Sequence, residues 1–389
     1  MGNNTLHIFN PEHDIALASG LANFTAPHAG RQLRHDLGWL PALWAEEGDL
    51  ILVDNAEHAA KGYARLRSSL TRICSSTRKT FSSTENDVSC SGNNVFCPGK
   101  QTFCTSATNL STAIHHISPW GWDAALKSRL VRSGISQQLL PDDEQLNAIR
   151  QLSHRRTSAK LLAVIREKTQ QPLLTGEAIE CGTSDEVLQQ LAERGKLVVK
   201  APWSSSGRGV RFIEGQMNVS TKGWLRHVLA DQHSVMVEPY YNKVKDFGME
   251  FSSDGHGHIS YLGLSLFHTA NGAYTGNLLA TECCKRKEMS HFLPLELLDE
   301  VQHHVCQQLG KPIGLHYEGP FGIDMMVVGN DPEGSFLLHP CVEINLRRTM
   351  GHVALALTTL VNPQSDDELV RVMRIVYEDN QYKLKIQRP

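Results

Sequence analysis

The sequence predicts a mixed fold in which a small parallel α/β domain precedes a larger α+β region. Near the N-terminus, predicted strands at 6–9 and 49–54 flank helical segments. Their spacing is typical of a strand-helix-strand unit whose two strands are parallel. Near the C-terminus, apolar segments at 321–328 and 341–348 flank a cluster of turn-forming residues, which is typical of an antiparallel hairpin. With 389 residues the chain is too long for one ordinary core, so we expect several domains.

The N-terminal domain is expected to span residues 1–150. Its first strand runs into a short helix at 15–18, and a further helix at 40–47 is predicted before the second strand. Asn10, Glu12 and Asp14 follow the first strand, at the edge where open α/β sheets bind ligands. Acidic side chains there suit an amine or ammonium substrate, but the alternative, that these carboxylates simply cap the N-terminus of the helix, is favoured.

Two further segments divide this first domain. Residues 68–112 are crowded with Ser, Thr, Asn and Cys and show little periodicity, so they predict a loop-rich region. Residues 119–123 open a helix that continues to about residue 130, and the Pro-Asp-Asp sequence at 141–143 marks the expected boundary with the following domain.

The C-terminal hairpin gathers oxygen ligands. If the turn at 329–335 is its centre, Asp324 lies opposite Glu343, while Glu343 and Asn345 share a face because strand side chains repeat every second residue. Two carboxylates about 4 Å apart repel by roughly 4 kcal/mol at an effective dielectric of about 20, and a cation would relieve this repulsion. Oxygen-only ligands favour Mg²⁺ or Mn²⁺. The alternative is a half-exposed hairpin whose acids are solvated or paired with Arg347 and Arg348.

A second motif combines a lysine with a small-residue loop. Lys200 ends the apolar strand 196–200 and leads into a loop whose hydroxyl groups, backbone N–H groups and glycines could cradle phosphate oxygens. The residues concerned are Ser204, Ser205, Ser206, Gly207 and Gly209. The next segment, 210–213, is predicted as a strand, so this is not a Walker A motif. Loops of this composition also occur in proteins that bind no phosphate.

A third motif is the apolar strand at 234–239, which ends in Glu238 and a proline. Such a strand edge could offer backbone groups to an adenine, and its carboxylate could accept a hydrogen bond from an exocyclic amine or a ribose hydroxyl. The alternative is a core strand that ends in a surface glutamate.

Composition excludes some classes of protein. Hydrophobic residues make up 41% and charged residues 20% of the chain, and the net charge is −3. A nucleic-acid surface would need clustered cations, and a membrane helix would need roughly twenty apolar residues, so neither partner is expected. The nine cysteines are scattered and odd in number, and residues 1–5 lack the features of a signal peptide. We therefore expect a cytoplasmic protein.

The order of these motifs resembles that of the ATP-grasp superfamily, over roughly residues 150–355. The resemblance implies two α+β subdomains, 151–236 with the phosphate loop and 237–389 with the metal hairpin, which clamp ATP between them. The preceding α/β domain would then line the site of the second substrate.

The resemblance also implies roles for residues. Lys200 would contact the α- and β-phosphates, the loop 204–209 would close over ATP, and Glu238, Val237 and Tyr240 would hold the adenosine. Asp324, Glu343 and Asn345 match the metal triad, and Arg347 is placed to meet the transferred phosphoryl group. A basic residue from 153–160 is also expected at the site, with Arg156 and Lys160 favoured. An acid, Asp246 or Glu250, is expected near the ribose or the loop. Tyr274 and Asn277, from a predicted loop at 268–277, are expected near the acceptor.

The activity that the resemblance implies is that of an ATP- and Mg²⁺-dependent carboxylate–amine ligase. A substrate carboxylate would attack ATP to give an acyl phosphate and ADP, and an amine would then displace phosphate. Two alternatives remain open on the sequence: a small-molecule kinase with the same fold, and an ATP-binding module without turnover.

Overall fold

The structure is a computed structural model, and it describes residues 4–78, 102–105, 114–169, 171–204, 209–270, 273–330, 334–361 and 371–388. Within these ranges the helices are α1 (His13–Ser19), α2 (His28–Leu37), α3 (Ala56–Arg78), α4 (Ala124–Arg132), α5 (Asp143–Leu152), α6 (Arg155–Thr169), α7 (Ser184–Arg194), α8 (Val219–Gln232), α9 (Glu282–Met289), α10 (Leu295–Leu309) and α11 (Met350–Val361). Short 3-10 helices span Leu40–Leu43 and Gln137–Leu139.

The strands in the same ranges are β1 (Asn4–Ile8), β2 (Leu50–Leu52), β3 (Thr102–Cys104), β4 (Ile114–Pro119), β5 (Ile179–Cys181), β6 (Lys196–Lys200), β7 (Val210–Glu214), β8 (Val235–Pro239), β9 (Lys243–Asp254), β10 (Ile259–Ala270), β11 (Ala273–Leu279), β12 (Glu318–Asn330), β13 (Ser335–Asn345), β14 (Arg371–Glu378) and β15 (Gln381–Gln387). They form three sheets.

The N-terminal sheet is parallel, as the sequence predicts. Its strand order is β3-β2-β1-β4, and every neighbouring pair is parallel. Asp123 caps the following helix α4, since its side chain accepts a hydrogen bond from the Leu126 N–H at 2.8 Å. The carboxyl ends of β1 and β4 therefore open side by side onto α1 and α4.

The second sheet is small and antiparallel, with the order β5-β8-β6-β7. It contains both predicted nucleotide motifs. The predicted strands at 196–200 and 210–213 are present as β6 and β7, and the strand that ends in Glu238 is the central β8. Helix α7 packs its buried Val187 and Leu191 into the core of this sheet.

The third sheet has seven strands in the order β13-β12-β9-β10-β11-β14-β15, and all neighbouring pairs are antiparallel. On β12, the alternate residues Phe321, Ile323, Met325 and Val327 are at most 1% exposed and pack against α6 and α10. Each such side chain contributes about 1.5–3 kcal/mol on burial. Because strand side chains alternate, Asp324 must lie on the opposite face of the sheet from this core.

Two local predictions are wrong. The helix predicted at 40–47 is only the 3-10 turn Leu40–Leu43, because the chain turns after it, with the Asp49 carboxylate accepting a hydrogen bond from the Glu46 N–H at 2.9 Å. The predicted loop at 268–277 is a hairpin of β10 and β11 instead, and their pairing continues the sheet to Ala270 and Ala273. Most of the Ser/Thr/Cys-rich region 68–112 lies outside the described residues.

Candidate functional site

The predicted metal hairpin has the predicted register. Asp324 on β12 pairs directly with Glu343 on β13, and Gly322 pairs with Asn345. Burial, together with the neighbouring Glu343 carboxylate, raises the pKa of Asp324 to about 7. A carboxylate held in this way is costly to ionise unless a positive charge lies nearby. Two carboxylates and an amide oxygen form a donor set that fits Mg²⁺ or Mn²⁺.

Two arginines supply positive charge at this hairpin. The Arg155 Nη2 atom lies 2.8 Å from Glu343 Oε1, and Arg347 Nη2 donates a hydrogen bond to Asn345 Oδ1 at 2.9 Å. Arg347 also donates to the Arg348 carbonyl at 3.1 Å. Each metal-ligand candidate on β13 is thus held in place by a guanidinium.

The N-terminal domain reaches the same hairpin through Asp14. The Arg347 guanidinium donates to both Asp14 oxygens, at 2.7 and 2.8 Å. Burial acts to raise the pKa of Asp14, but the charge and hydrogen bonds of Arg347 outweigh it and the pKa is lowered. Asp14 is therefore ionised at neutral pH and faces the predicted metal site.

The other two predicted substrate residues lie elsewhere. Asn10 is 2% exposed and donates to the Gly121 carbonyl at 2.9 Å, which joins the ends of β1 and β4. Glu12 forms an ion pair with Arg34. The structure places both inside the N-terminal domain, where they bind other residues of the chain rather than the metal hairpin.

Lys200 and Glu238 form a buried ion pair. The Lys200 Nζ atom lies 2.6 Å from Glu238 Oε2, and each side chain is 9% exposed. They belong to neighbouring strands, since β6 pairs with β8. The two predicted nucleotide contacts, Lys200 and Glu238, therefore contact each other on adjacent strands of the small sheet.

A histidine that sequence reasoning did not select lies beside this pair. His339 on β13 is 1% exposed, and its ring packs edge-on against Tyr241 at a centroid distance of 5.5 Å. Neither ring nitrogen has a hydrogen-bond partner among the described residues. Burial, aided by the charge of Lys200, lowers the pKa of His339 to about 3, so the ring is neutral at physiological pH.

The phosphate loop is described only at its two ends. Ser205, Ser206 and Gly207 lie outside the described residues. At one end, Ser204 Oγ accepts a hydrogen bond from Arg155 Nη2 at 3.2 Å. At the other, a Cβ atom at Gly209 would lie within 2.3 Å of the Ser204 Cβ, so the close approach of the two loop ends requires glycine.

The basic residue of the 153–160 segment that reaches the site is Arg155, not the favoured Arg156 or Lys160. Arg155 starts α6 and contacts the Ala201 carbonyl at 3.0 Å in addition to Ser204 and Glu343. Arg156 instead pairs with Glu180 at 3.2 Å, and Lys160 is exposed. Sequence reasoning recognised the basic segment, but which of its side chains points inward depends on how α6 packs.

The predicted adenosine contacts are divided between core and surface. Val237 is 1% exposed, and its strand has a partner on each side, so its backbone lies in the middle of the sheet. Tyr240, just beyond the strand, is 54% exposed and lines an open depression with Lys196, Glu214 and Pro239. The backbone at Val237 is therefore already paired on both sides, and a free backbone edge for an adenine would lie beyond Pro239.

Asp246 lies on β9, where its Oδ2 atom accepts hydrogen bonds from Lys243 Nζ at 2.6 Å and from Thr269 Oγ1 at 2.7 Å. Both partners belong to the seven-stranded sheet. These contacts hold the Asp246 side chain against the seven-stranded sheet. They do not direct it toward the small sheet that carries Lys200.

Tyr274 and Asn277, predicted as acceptor contacts on a loop, belong instead to a buried network behind the hairpin. Asn277 is 1% exposed and donates to Ser265 Oγ at 2.8 Å, while Tyr274 donates to Asn277 Oδ1. The network continues to Glu250, whose carboxylate accepts a hydrogen bond from Thr349 Oγ1 at 2.8 Å. Burial raises the pKa of Glu250 to about 8.

One narrow cleft joins the parts of the site. Asp14, Pro202, Ser204, Glu343 and Asn345 all line it. A carboxylate on α1, the start of the predicted phosphate loop and the predicted metal hairpin therefore face a common space. Within the part of the chain that the structure describes, no helix is long and apolar enough to cross a membrane.

No family model matches the chain, and no curated protein matches it in sequence. Solved structures do resemble it. They include N5-carboxyaminoimidazole synthetase from Staphylococcus aureus complexed with ADP, at 13% identity and a TM-score of 0.46, covering 97% of this chain and 83% of that one. N5-carboxyaminoimidazole synthase from Aspergillus clavatus, in complex with ADP and 5-aminoimidazole ribonucleotide, has 12% identity and a TM-score of 0.43, covering 96% and 82% of the two chains.

A third similar structure is the biotin carboxylase domain of 2-oxoglutarate carboxylase from Hydrogenobacter thermophilus, in complex with MgADP, ADP and bicarbonate. Its identity is 11% and its TM-score 0.44, covering 72% of this chain and 65% of that one.

Proposed function

We propose that the chain is an ATP- and Mg²⁺-dependent ligase of the ATP-grasp type, which joins a carboxylate to an amine through an acyl phosphate. The single observation that carries the proposal is the common cleft. Asp14, Ser204, Glu343 and Asn345 line it together. Asp324 adjoins it as the strand partner of Glu343, and Arg347 as the ion-pair partner of Asp14. The small antiparallel sheet and the seven-stranded sheet would be the two subdomains, with the boundary after β8 at Pro239 rather than at 236, because β8 belongs to the small sheet.

The nucleotide would lie between these two sheets. Lys200 supplies a buried positive charge for the phosphates, and Glu238 holds that lysine in place at 2.6 Å. Ser204 and the loop that follows it offer hydroxyl and N–H donors. The exposed Tyr240 lies just beyond the strand end, where a base could contact backbone groups.

Asp324, Glu343 and Asn345 would hold the Mg²⁺ ion. When bound, the ion neutralises phosphate charge and polarises the transferred phosphoryl group. The raised pKa of Asp324 supports this assignment, since a nearby cation would favour the ionised carboxylate. Arg155 neutralises Glu343 in the absence of the ion.

Arg347 acts through charge and through position. Its donors are engaged by Asp14, Asn345 and the Arg348 carbonyl, so it fixes the amide of Asn345 and adds positive charge where the phosphoryl group is transferred. Asp14 remains ionised at the same place and could attract the ammonium form of the amine substrate.

Nucleotide binding is tested by thermal melts with and without Mg·ATP. Ligand at about a hundred times its dissociation constant stabilises the folded state by about 2.7 kcal/mol, which should raise the melting temperature of the parent. The shift should disappear in a Lys200→Met, Glu238→Gln double variant, which removes both charges of the buried pair. Lys222→Met is the matched control, because Lys222 is an exposed lysine on α8 and lies outside the proposed nucleotide contacts.

The reaction class is tested with hydroxylamine. A ligase given a carboxylate substrate, Mg·ATP and hydroxylamine yields a hydroxamate and ADP, because hydroxylamine traps the acyl phosphate. A kinase acting on a hydroxyl acceptor yields ADP and a phosphorylated acceptor without hydroxamate. If the protein binds ATP but forms no ADP with any carboxylate, amine or hydroxyl acceptor, the proposed enzyme activity is contradicted. The chain would then be only an ATP-binding module.

A further inference from the structure

Three side chains that could ligate a metal converge between helices α2 and α3, apart from the residues assigned to the nucleotide site. His35 and Asp36 lie in the last turn of α2, and His58 lies in the first turn of α3. One ligand atom from each lies within 4.8 Å of the other two. The two imidazole rings face one another with centroids 4.6 Å apart and an angle of 31° between their planes.

The Asp36 carboxylate gives independent evidence for a missing ligand. The residue is 3% exposed. Its Oδ2 atom accepts hydrogen bonds from Gln32 Nε2 at 2.9 Å and from the Tyr382 N–H at 2.8 Å. Its Oδ1 atom is also buried, and among the described residues it has no hydrogen-bond partner, although His58 Nε2 lies 3.4 Å away.

A buried carboxylate oxygen without a partner is unfavourable, because the water that it leaves is not replaced. One oxygen of Asp36 is held by two hydrogen bonds, while the other lies 3.4 Å from His58 Nε2. This is how the ligating carboxylate of a metal site is commonly held, with partners behind the ligand that fix its orientation. An ion accepting electron pairs from Oδ1 and from both rings would satisfy all three groups.

We propose that His35, Asp36 and His58 form a binding site for a divalent transition metal, with Zn²⁺ the first candidate. Imidazole nitrogens favour Zn²⁺ and its neighbours over Mg²⁺. With Zn–ligand distances of about 2.0–2.1 Å, two ligands of a tetrahedral ion lie about 3.3 Å apart. The observed 3.4 Å between His58 Nε2 and Asp36 Oδ1 matches that spacing. Three protein ligands leave a fourth position for water.

Such an ion would join parts of the chain that are distant in sequence. It would bind α2 to the start of α3, and through the Tyr382 N–H its carboxylate ligand also contacts β15 of the seven-stranded sheet. The ion would thereby hold the N-terminal helices against the C-terminal hairpin and keep one coordination position open. This inference does not depend on the proposed ligase activity.

The test is a metal titration of the full chain after treatment with chelator. Co²⁺ is added in the presence of millimolar Mg²⁺, which occupies oxygen-ligand sites, and the visible absorption of tetrahedral Co²⁺ is recorded before Zn²⁺ is added to displace it. We expect one equivalent of Co²⁺ to bind with such a spectrum and Zn²⁺ to abolish it. Zn²⁺ should also raise the melting temperature.

The variants are His35→Gln and His58→Gln, with His28→Gln as the matched control, because His28 is an exposed histidine at the other end of α2. We expect both site variants to lose the spectrum and the Zn²⁺ stabilisation, while the control keeps them. Gln32→Leu, which removes a hydrogen bond to Asp36, should weaken Zn²⁺ binding by about 10–100-fold.

Two outcomes would overturn the proposal. One is a parent protein that binds no Co²⁺ or Zn²⁺ at micromolar concentration, which would leave His58 and Asp36 as a simple ion pair. The other is binding that persists unchanged in both site variants, which would place the ion elsewhere. Far-ultraviolet circular dichroism checks that each variant folds, and the partly exposed His35 provides a second test if His58→Gln does not fold.

Discussion

Arg347 and Asp14 form a two-point ion pair across 333 residues of sequence, with N–O distances of 2.7 and 2.8 Å. Arg347 follows the metal hairpin directly, and Asp14 lies in the first helix of the N-terminal domain. Both side chains are about one-fifth exposed, at 18% and 20%. The same guanidinium binds Asn345, so the position of a proposed metal ligand depends on a residue of α1.

Asp14→Asn should destabilise the protein and reduce turnover together. Hydrogen bonds to charged groups contribute about 1.5–3 kcal/mol to stability. We therefore expect the free energy of unfolding to fall by about that amount. Denaturant unfolding measures it. Glu57→Gln, which breaks an exposed ion pair with Lys61, is the control and should leave the unfolding midpoint unchanged. In a double-mutant cycle with Arg347→Gln, strictly additive effects would show that the two residues do not interact.

Asp324→Asn should abolish Mg²⁺-dependent turnover without loss of stability. The pKa of Asp324 is raised to about 7 by burial and by Glu343, so at pH 8 its charge opposes folding when no metal is bound. The asparagine removes that charge and keeps the shape, so the melting temperature at pH 8 should be equal or higher. Glu318→Gln, an exposed residue on the same strand, should retain activity. Turnover near the parent level in Asp324→Asn would contradict the metal assignment.

Glu250 should make stability depend on pH. Its pKa is raised from 4.5 to about 8, chiefly by burial, so the folded chain retains a proton that the unfolded chain releases above pH 4.5. This group therefore lowers stability as the pH rises from about 4.5 to about 8, after which its effect is constant. Melting temperatures of the parent and of Glu250→Gln, measured from pH 5 to 9, should converge at pH 5 and separate at pH 9, with the variant more stable. Parallel curves would contradict the raised pKa.

His339→Phe should weaken nucleotide binding while preserving the fold. Phenylalanine keeps the edge-on ring packing against Tyr241 but removes two buried nitrogens that lack hydrogen-bond partners among the described residues. Removing them should not destabilise the protein and could stabilise it. Isothermal titration with Mg·ATP measures the affinity, with His256→Phe, at an exposed turn, as the control. An unchanged affinity would show that His339 only fills the core beside Lys200.

The sequence predicted the parts of the site that depend on neighbouring residues in one segment. Two apolar segments that flank one turn predict a hairpin, but its turn alone would place Cys341 opposite Asp324. A register shift between Asp324 and Met326 brings Glu343 there instead. The strand that ends in Lys200 and the strand that ends in Glu238 were likewise predicted from apolar segments. The predicted helix at 40–47 failed because apolar spacing over eight residues cannot distinguish a helix from a 3-10 turn.

The sequence by itself thus determined the strands, their polar ends and the residue types that gather at the hairpin, because alternation and turn chemistry act over a few residues. Tertiary structure decided which charges meet. It selected Arg155 over Arg156 and Lys160, paired Arg347 with Asp14, and placed Asn277 inside a buried network rather than at an acceptor. The residues next to a charged side chain in the sequence do not indicate its ion-pair partner, because pairing depends on how sheets and helices pack across hundreds of residues.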